Sequence, residues 1–252
     1  MEVKDFNFIT HGDDAQRKRH KKFAELLKNC PIPDNEILLN MGLFLVPQTL
    51  SRILFMDFLY RQILTVQGVV VDFGTRWGQN LSLFSAMRGI YEPYNRLRKI
   101  VGFDTFEGFP CPSGQDSKSR MMVEKSYSVT SGYLDYLSNM LDIQEHENPL
   151  SHIKKYEIVQ GNASAEIDKY IESNPETIIA LAYFDFDLYE PTKKCLLAIK
   201  DRLTRGSVLG FDELNEHDCP GETLAVKEVF GLGCYRIQRS PYNSRCSYIV
   251  ID

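Results

Sequence analysis

The sequence predicts a doubly wound α/β fold, with a mostly parallel, seven-stranded Rossmann-like sheet behind a helical N-terminal extension. Three observations carry that prediction. Apolar, β-branched runs of strand length recur, and several stop on a carboxylate: VVVDF, KIVGFD, ALAYFDFD and SVLGFDE. Stretches of helical length separate the runs. A glycine turn, GTRWG, follows the first run and opens the next helix. Strands buried on both faces read as continuous apolar runs, and alternation of such runs with helices marks a parallel sheet.

Each element follows from local chemistry. Residues 1–14 are polar and irregular. Residues 15–29, AQRKRHKKFAELLKN, predict a helix whose basic cluster, Arg17 to Lys22, reads as a solvated face or as a dock for a phosphate or an acidic chain. Pro31 and Pro33 break it. From Gln48, Leu50, Ile53, Leu54, Met56, Leu59 and Ile63 recur at helical spacing and predict a helix ending near Leu64. Residues 1–64 are expected as the extension and 65–252 as the core of one domain. Strand 66–74, helix 78–90 and strand 99–104 form the first strand–helix–strand unit. The polar stretch 105–130 carries glycine and proline and reads as a long loop, a lid if it sits at the strands' carboxyl edge. Helix 131–143, strand 155–160, helix 164–172, strand 178–186, helix 191–203, strand 207–212 and helix 221–231 continue the alternation, and Pro191 suits a first helical turn. Residues 235–238 and 247–251 alternate enough for two closing strands.

Bulk properties exclude several classes. The chain has 252 residues, enough for a substantial core. A net charge of −5 argues against a general polyanion binder, so no nucleic-acid partner is expected. No apolar run reaches the ~20 residues that span a bilayer, and MEVKDFNFITHGDD lacks an apolar leader. A cytoplasmic protein with no membrane partner is expected. The six cysteines form no CxxC, which favours free thiols and gives no spacing for structural zinc.

Ligands of open α/β sheets sit at the carboxyl ends of the strands. Those ends here carry Asp72 and Gly74, Asp104, Asn162, Asp185 and Asp187, and Asp212 with Glu213. Any one of these could be a helix cap or turn residue; as a set they exceed what folding needs. The turn departs from the dinucleotide pattern GxGxxG, and the P-loop pattern is absent. Turn amides and a helix N-terminus suit a carboxylate. A nucleoside bearing an aminocarboxylate therefore fits, with Gly74, Thr75, Arg76 and Gly78 at its amino-acid end. Asp72 would lie near the ammonium, and Asp104 beside Thr105 would meet the ribose. S-adenosylmethionine answers that description. Asp185, Asp212 and Glu213 could hold a hard divalent cation or ionise a hydroxyl. Asp187 reads either as a cap for the helix at 190–191 or as a general base, with His217 as the rival base.

The blocks VVVDFGTRWGQN, VGFDTFEGFP, ALAYFDFDLYEPTKKCLLAI and GSVLGFDELN occur in this order. In that order and spacing the chain resembles the macrocin-type (mycinamicin, tylosin, novobiocin) sugar O-methyltransferases, over about residues 38–233. The resemblance implies a class I, S-adenosylmethionine-dependent and magnesium-dependent O-methyltransferase. Its acceptor would be a deoxysugar, nucleotide-linked or carried on a glycan or natural product. It implies Asp185, Asp212 and Glu213 as metal ligands, although relatives often carry Asp where Glu213 stands. Asp187 would be the base. Gly74, Gly78, Asp104 and Asp185 would hold the cofactor, and Asn162 would border the adenine, where relatives often place Asp. Self-association is implied, with residues 15–64 as contact surfaces. Other readings are a metal-dependent methyltransferase acting on a catechol-like or other vicinal-diol acceptor, and a non-catalytic S-adenosylmethionine-binding protein. A nicotinamide-dependent dehydrogenase or epimerase would need GxGxxG and a placed Tyr-x-x-x-Lys pair, and neither is found.

Overall fold

The computed structural model describes residues 13–110, 112–116 and 125–252. Helices α1 (Asp14–Lys28), α2 (Asp34–Ile37) and α3 (Pro47–Gln62) come first, with a 3-10 segment, Leu38–Phe44, before α3. The core then runs β1 (Val69–Phe73), α4 (Gln79–Tyr91), β2 (Ile100–Asp104), α5 (Tyr133–His146), β3 (Tyr156–Gln160) and α6 (Ala163–Ser173). It continues through β4 (Ile179–Phe184), α7 (Tyr189–Ile199), β5 (Leu203–Phe211), α8 (Gly221–Val229), β6 (Gln238–Arg239) and β7 (Ser247–Val250). Every expected strand is present. The first closing strand begins at Gln238, later than the expected 235–238, and the short helical pieces at 34–44 were not expected.

The sheet is seven-stranded in the order β3-β2-β1-β4-β5-β7-β6. Strands β1 to β5 pair in parallel, and β7 runs antiparallel to β5. Chain order reverses between β1 and β4, and that switch point opens the crevice in which such sheets bind ligands. Side chains alternate between two cores. Val70, Leu181, Tyr183 and Val208 face α3, α4 and α5. Val71, Phe73, Ala182, Phe184, Leu209 and Phe211 face α6, α7 and α8.

One row of aromatics fixes the level of the strand ends. Phe73 is in register with Phe103 and Phe184, and Phe184 with Phe211. Their rings pack in series, 5.3, 4.8 and 5.2 Å apart. The ladder continues one residue further: Gly74 N–H donates to the Phe103 carbonyl at 2.9 Å, Asp185 N–H to Phe73 at 2.9 Å, and Asp212 N–H to Phe184 at 3.1 Å. Gly74, Asp185 and Asp212 are thus held at one height along the carboxyl edge.

Helix α3 presents a different face from the one its periodicity suggested. Phe55, Met56, Leu59, Tyr60 and Ile63 are fully buried, whereas Leu50 and Leu54 are exposed. The buried stripe belongs to the sheet-facing core. Helix α1 buries no side chain. Among the described residues no single helix is long and apolar enough to cross a membrane. Cys30, Cys195, Cys219, Cys234 and Cys246 are free thiols; Cys111 lies outside the described residues.

Candidate active site

A cleft of about 410 Å³ opens over the carboxyl ends of β1, β2, β4 and β5. Its floor at β1 is the glycine turn. Gly74 adopts φ 86, and a Cβ there would stand 2.1 Å from the Asp185 carbonyl oxygen. Only glycine permits the β1 and β4 ends to approach so closely. Gly78, at φ 76, is the N-cap of α4, and its bare Cα packs on Leu137.

Asp72 lies beneath this turn rather than on the cleft wall. It is fully buried, accepting from Thr75 Oγ1 at 3.0 Å and from Asn80 Nδ2 at 3.1 Å. Its carboxylate holds the turn, which corrects its expected place beside a ligand's ammonium: strand alternation turns it toward the α3–α4 core. Burial pushes it up to about 6 despite those two bonds. Thr75 is largely buried yet lines the cleft, as do Arg76 and Thr105. Asp104 lines it as well, with one carboxylate oxygen on Arg76 N–H at 2.8 Å and the other on Phe106 N–H at 2.5 Å. Asn162, after the neighbouring strand β3, also lines it and caps α6 through Ser164 N–H at 3.0 Å.

The acidic cluster occupies the β4 and β5 ends. Asp185, Asp187 and Glu213 each bring a carboxylate oxygen within 4.8 Å of the others. Asp212 is beside them but engaged. Its Oδ1 accepts from Tyr183 Oη at 2.6 Å, Arg52 Nη1 at 3.1 Å and Cys246 Sγ at 3.3 Å. Burial works against its charge, yet Arg52 and these donors hold it well below the usual carboxylate range. Burial beside Asp212 pushes Asp185 up to about 8. Burial also raises Asp187, and it raises Glu213 further through Asp212 and Asp187.

Asp187 is the strained member, at φ 58. An aspartate in this left-handed region costs free energy and persists where surrounding structure demands it. It does not cap α7. The N-cap is Leu188, and Tyr189 N–H is taken by Asp116 at 2.7 Å. His217 is exposed and does not line the cleft. The chain reaches it through Asn215, which adopts φ 67.

Sequence reasoning missed three residues that organise this cluster. Arg52 of α3 bridges Asn80 Oδ1 at 3.2 Å, Asp212 at 3.1 Å and Asp185 Oδ2. It continues the buried stripe of α3 one turn toward the N-terminus, and a charge at such a core-facing position was the available signal. Glu222, in the first turn of α8, is fully buried and accepts from Phe186 N–H at 3.2 Å and Glu213 N–H at 3.3 Å. Arg245 pairs with Glu213 at 2.6 Å. Even so, Asp185, Asp187, Asp212, Glu213 and Glu222 outnumber Arg52 and Arg245. Glu213 Oε2 is buried and has no hydrogen-bond partner. All-oxygen carboxylate donors with an orphaned oxygen fit a hard divalent cation.

The expected lid stands in part on this cleft. Gly108, Phe109, Pro110 and Tyr127 line it. Phe109 and Ser126 are joined by an N–H···O bond of 2.8 Å. Residues 111 and 117–124 of the 105–130 stretch lie outside the described residues.

No family model and no curated protein matches the chain. Solved structures do. The crystal structure of CalS11, a calicheamicin methyltransferase, is 40% identical, with a TM-score of 0.93 over 99% of this chain and 98% of that one. The apo structure of CalS11, there described as TDP-rhamnose 3'-O-methyltransferase, is 39% identical, with a TM-score of 0.84 over 98% and 99%. The O-methyltransferase NovP shares the fold at 16% identity, with a TM-score of 0.58 over 80% of this chain and 79% of that one. A class I methyltransferase sheet, a cofactor cleft at its switch point and this identity to CalS11 over nearly the whole length lead to one conclusion: the chain belongs to the sugar O-methyltransferase family and is an S-adenosylmethionine-dependent O-methyltransferase.

Proposed function

We propose that the protein methylates a hydroxyl of a nucleotide-linked deoxysugar in a magnesium-dependent reaction. The observation that carries this is the convergence of Asp185, Asp187 and Glu213 on the cleft that also holds the glycine turn and Asp104. The activity of CalS11 on TDP-rhamnose supports a sugar nucleotide as acceptor. Asp185 and Glu213 would hold the cation, with the orphaned Glu213 Oε2 available as a ligand atom. Asp212, the third expected ligand, has its Oδ1 taken by Arg52, Tyr183 and Cys246 in this structure and would support the site through Arg52. When bound, Mg²⁺ lowers the pKa of a coordinated hydroxyl, which is otherwise a poor nucleophile at neutral pH.

The chain's own residues do the rest. The turn from Gly74 to Gly78 and Asp104 orient the methyl donor, and the β4 end orients the acceptor. The acceptor oxygen attacks the methyl carbon in line. The S–C bond breaks with its electron pair returning to sulfur, and the hydroxyl proton passes to Asp187. Alignment supplies most of the acceleration, and a positioned base adds about 10²–10⁴-fold.

The test is methyl transfer to a panel of TDP-deoxyhexoses and catechols, with Mg²⁺ or EDTA, alongside Mn²⁺ binding followed by electron paramagnetic resonance. The reading expects EDTA-sensitive transfer to a TDP-sugar. Asp187→Asn should lower kcat about 100-fold while Mn²⁺ still binds; wild-type turnover would remove Asp187 as base, and lost Mn²⁺ binding would make it a ligand.

The protein also self-associates through its N-terminal helices. Leu38 and Leu39 are 79% and 86% exposed, and Leu26, Leu43 and Leu50 are exposed around them. Light scattering after size exclusion checks this: Leu38→Ser/Leu39→Ser should lower the mass, and a monomeric wild type would refute it.

A further inference from the structure

Three arginines line the cleft among the described residues, and they are not equivalent. Arg52 is held by Asp185 and Asp212, and Arg245 by Glu213. The Arg76 guanidinium has no hydrogen bond or ion pair among the described residues, and its Nε is buried without a partner. It is stacked between two aromatic rings, 4.7 Å from the Tyr127 centroid and 5.5 Å from that of Trp77. Its backbone is fixed at φ 45, with N–H on Asp104 at 2.8 Å. Burial holds its pKa below the ordinary arginine value, and the field of Tyr127, Asp185, Asp104 and Asp187 offsets this only in part.

A half-buried cation with acidic neighbours but no direct ion pair is costly to keep. The rings satisfy its faces by cation–π contact but leave the edge donors unused. Those donors form a planar fork suited to phosphate oxygens. The rest of the cleft, with Asp104, Asp185, Asp187 and Glu213, repels an anionic acceptor. A nucleoside diphosphate entering here needs a positive contact besides any metal, and Arg76 is the arginine left free to give it.

We infer that Arg76 receives the diphosphate of the acceptor and thereby selects nucleotide-linked over neutral sugars. This rests on the sugar-nucleotide reading above. The methyl donor's carboxylate is the competing anion, and the experiment separates the two. Wild type, Arg76→Gln and Arg76→Lys are compared by titration calorimetry with thymidine diphosphate alone and with S-adenosylmethionine alone. The same proteins are assayed for kcat/KM on a TDP-deoxyhexose and on the methyl glycoside of the same sugar. Loss of a bidentate, charge-assisted contact predicts that Arg76→Gln weakens thymidine diphosphate on the order of 30-fold. The TDP-sugar to glycoside ratio of kcat/KM should fall by a similar factor, donor affinity should change less than about 3-fold, and Arg76→Lys should recover part of the loss.

Weakened donor binding with intact thymidine diphosphate binding overturns the inference in favour of the donor carboxylate. Equal losses on both acceptors reduce Arg76 to a structural role. Should Arg76→Gln fail to fold, Arg76→Lys and the salt dependence of wild-type thymidine diphosphate binding decide: affinity insensitive to ionic strength refutes it. Wild type that methylates the glycoside but not the TDP-sugar sinks the sugar-nucleotide reading and this inference with it. Wild type active on the TDP-sugar, with an unaffected Arg76→Gln, sinks this inference alone.

Discussion

Replacing Asp72 by asparagine should stabilise the ligand-free protein, and by an amount that depends on pH. Asp72 is fully buried. Its pKa in the fold, about 6, lies above its ordinary 3.8, because burial outweighs the bonds from Asn80 and Thr75 and the attraction of Arg52. The fold therefore prefers the neutral form. Below about pH 4 the group is neutral in folded and unfolded chains alike, and it costs nothing. Between pH 4 and 6 the unfolded chain releases the proton more readily, and stability falls. Above pH 6 both states are charged and the penalty is complete. A shift of roughly two units corresponds to about 3 kcal/mol. Asparagine keeps an oxygen for Asn80 Nδ2 and can donate to Thr75 Oγ1, so both contacts survive. With EDTA and no donor, urea unfolding at pH 8 should show Asp72→Asn more stable by about 3 kcal/mol. At ~2–4 °C per kcal/mol for this size, that is a rise in Tm of roughly 6–12 °C. The gap should close as pH falls toward 4. A variant less stable than wild type at pH 8, or a gap independent of pH, would refute the reasoning.

Three further outcomes follow from the same geometry. Arg52→Met leaves Asp185 and Asp212 facing each other without their cation and should cost about 3 kcal/mol in metal-free protein. Mg²⁺ should restore part of this in a thermal melt, whereas Arg52→Lys should not, since an ammonium cannot span Asn80, Asp212 and Asp185 at once. Gly74→Ala places a methyl 2.1 Å from the Asp185 carbonyl oxygen in a left-handed backbone; a loss above about 4 kcal/mol is expected, and near-wild-type stability by circular dichroism would contradict the tight β1–β4 approach. Glu222→Gln offers one acceptor oxygen where Phe186 and Glu213 N–H groups need two, so urea unfolding should show a loss of about 1–3 kcal/mol.

What could be read from the sequence was what is local. Each parallel strand is a short apolar run, and the carboxylates that end β2, β4 and β5 announce themselves, so Asp104, Asp185, Asp187, Asp212 and Glu213 are legible in the sequence. The glycine turn was legible because Gly74 and Gly78 bracket a helix start. Partners brought together by tertiary packing were not legible. Arg52 and Asp212 are 160 positions apart, and the face of α3 was misassigned because Leu50 and Leu54 are as apolar as Phe55 and Leu59. Glu222 and Arg245 sit in no motif. Asp72 looked like its neighbours at the strand ends, but it lies two residues before Gly74, inside β1 rather than past its end, where Thr75 and Asn80 enclose it. His217, close to Glu213 in sequence, is exposed and outside the cleft lining.

The phenylalanine row behind the strand ends has an electrical consequence. Phe103, Phe73, Phe184 and Phe211 are fully buried and lie just behind the carboxylates of β2, β4 and β5. Apolar rings without reorienting dipoles exclude water there, so the field of the acidic cluster is poorly screened from that side and emerges through the cleft mouth. A low-dielectric wall behind one sign of charge focuses the potential and raises the local concentration of counter-ions. The row that sets the level of the site therefore also sets the direction from which a cation is drawn into it, with an attraction that weakens as ionic strength rises.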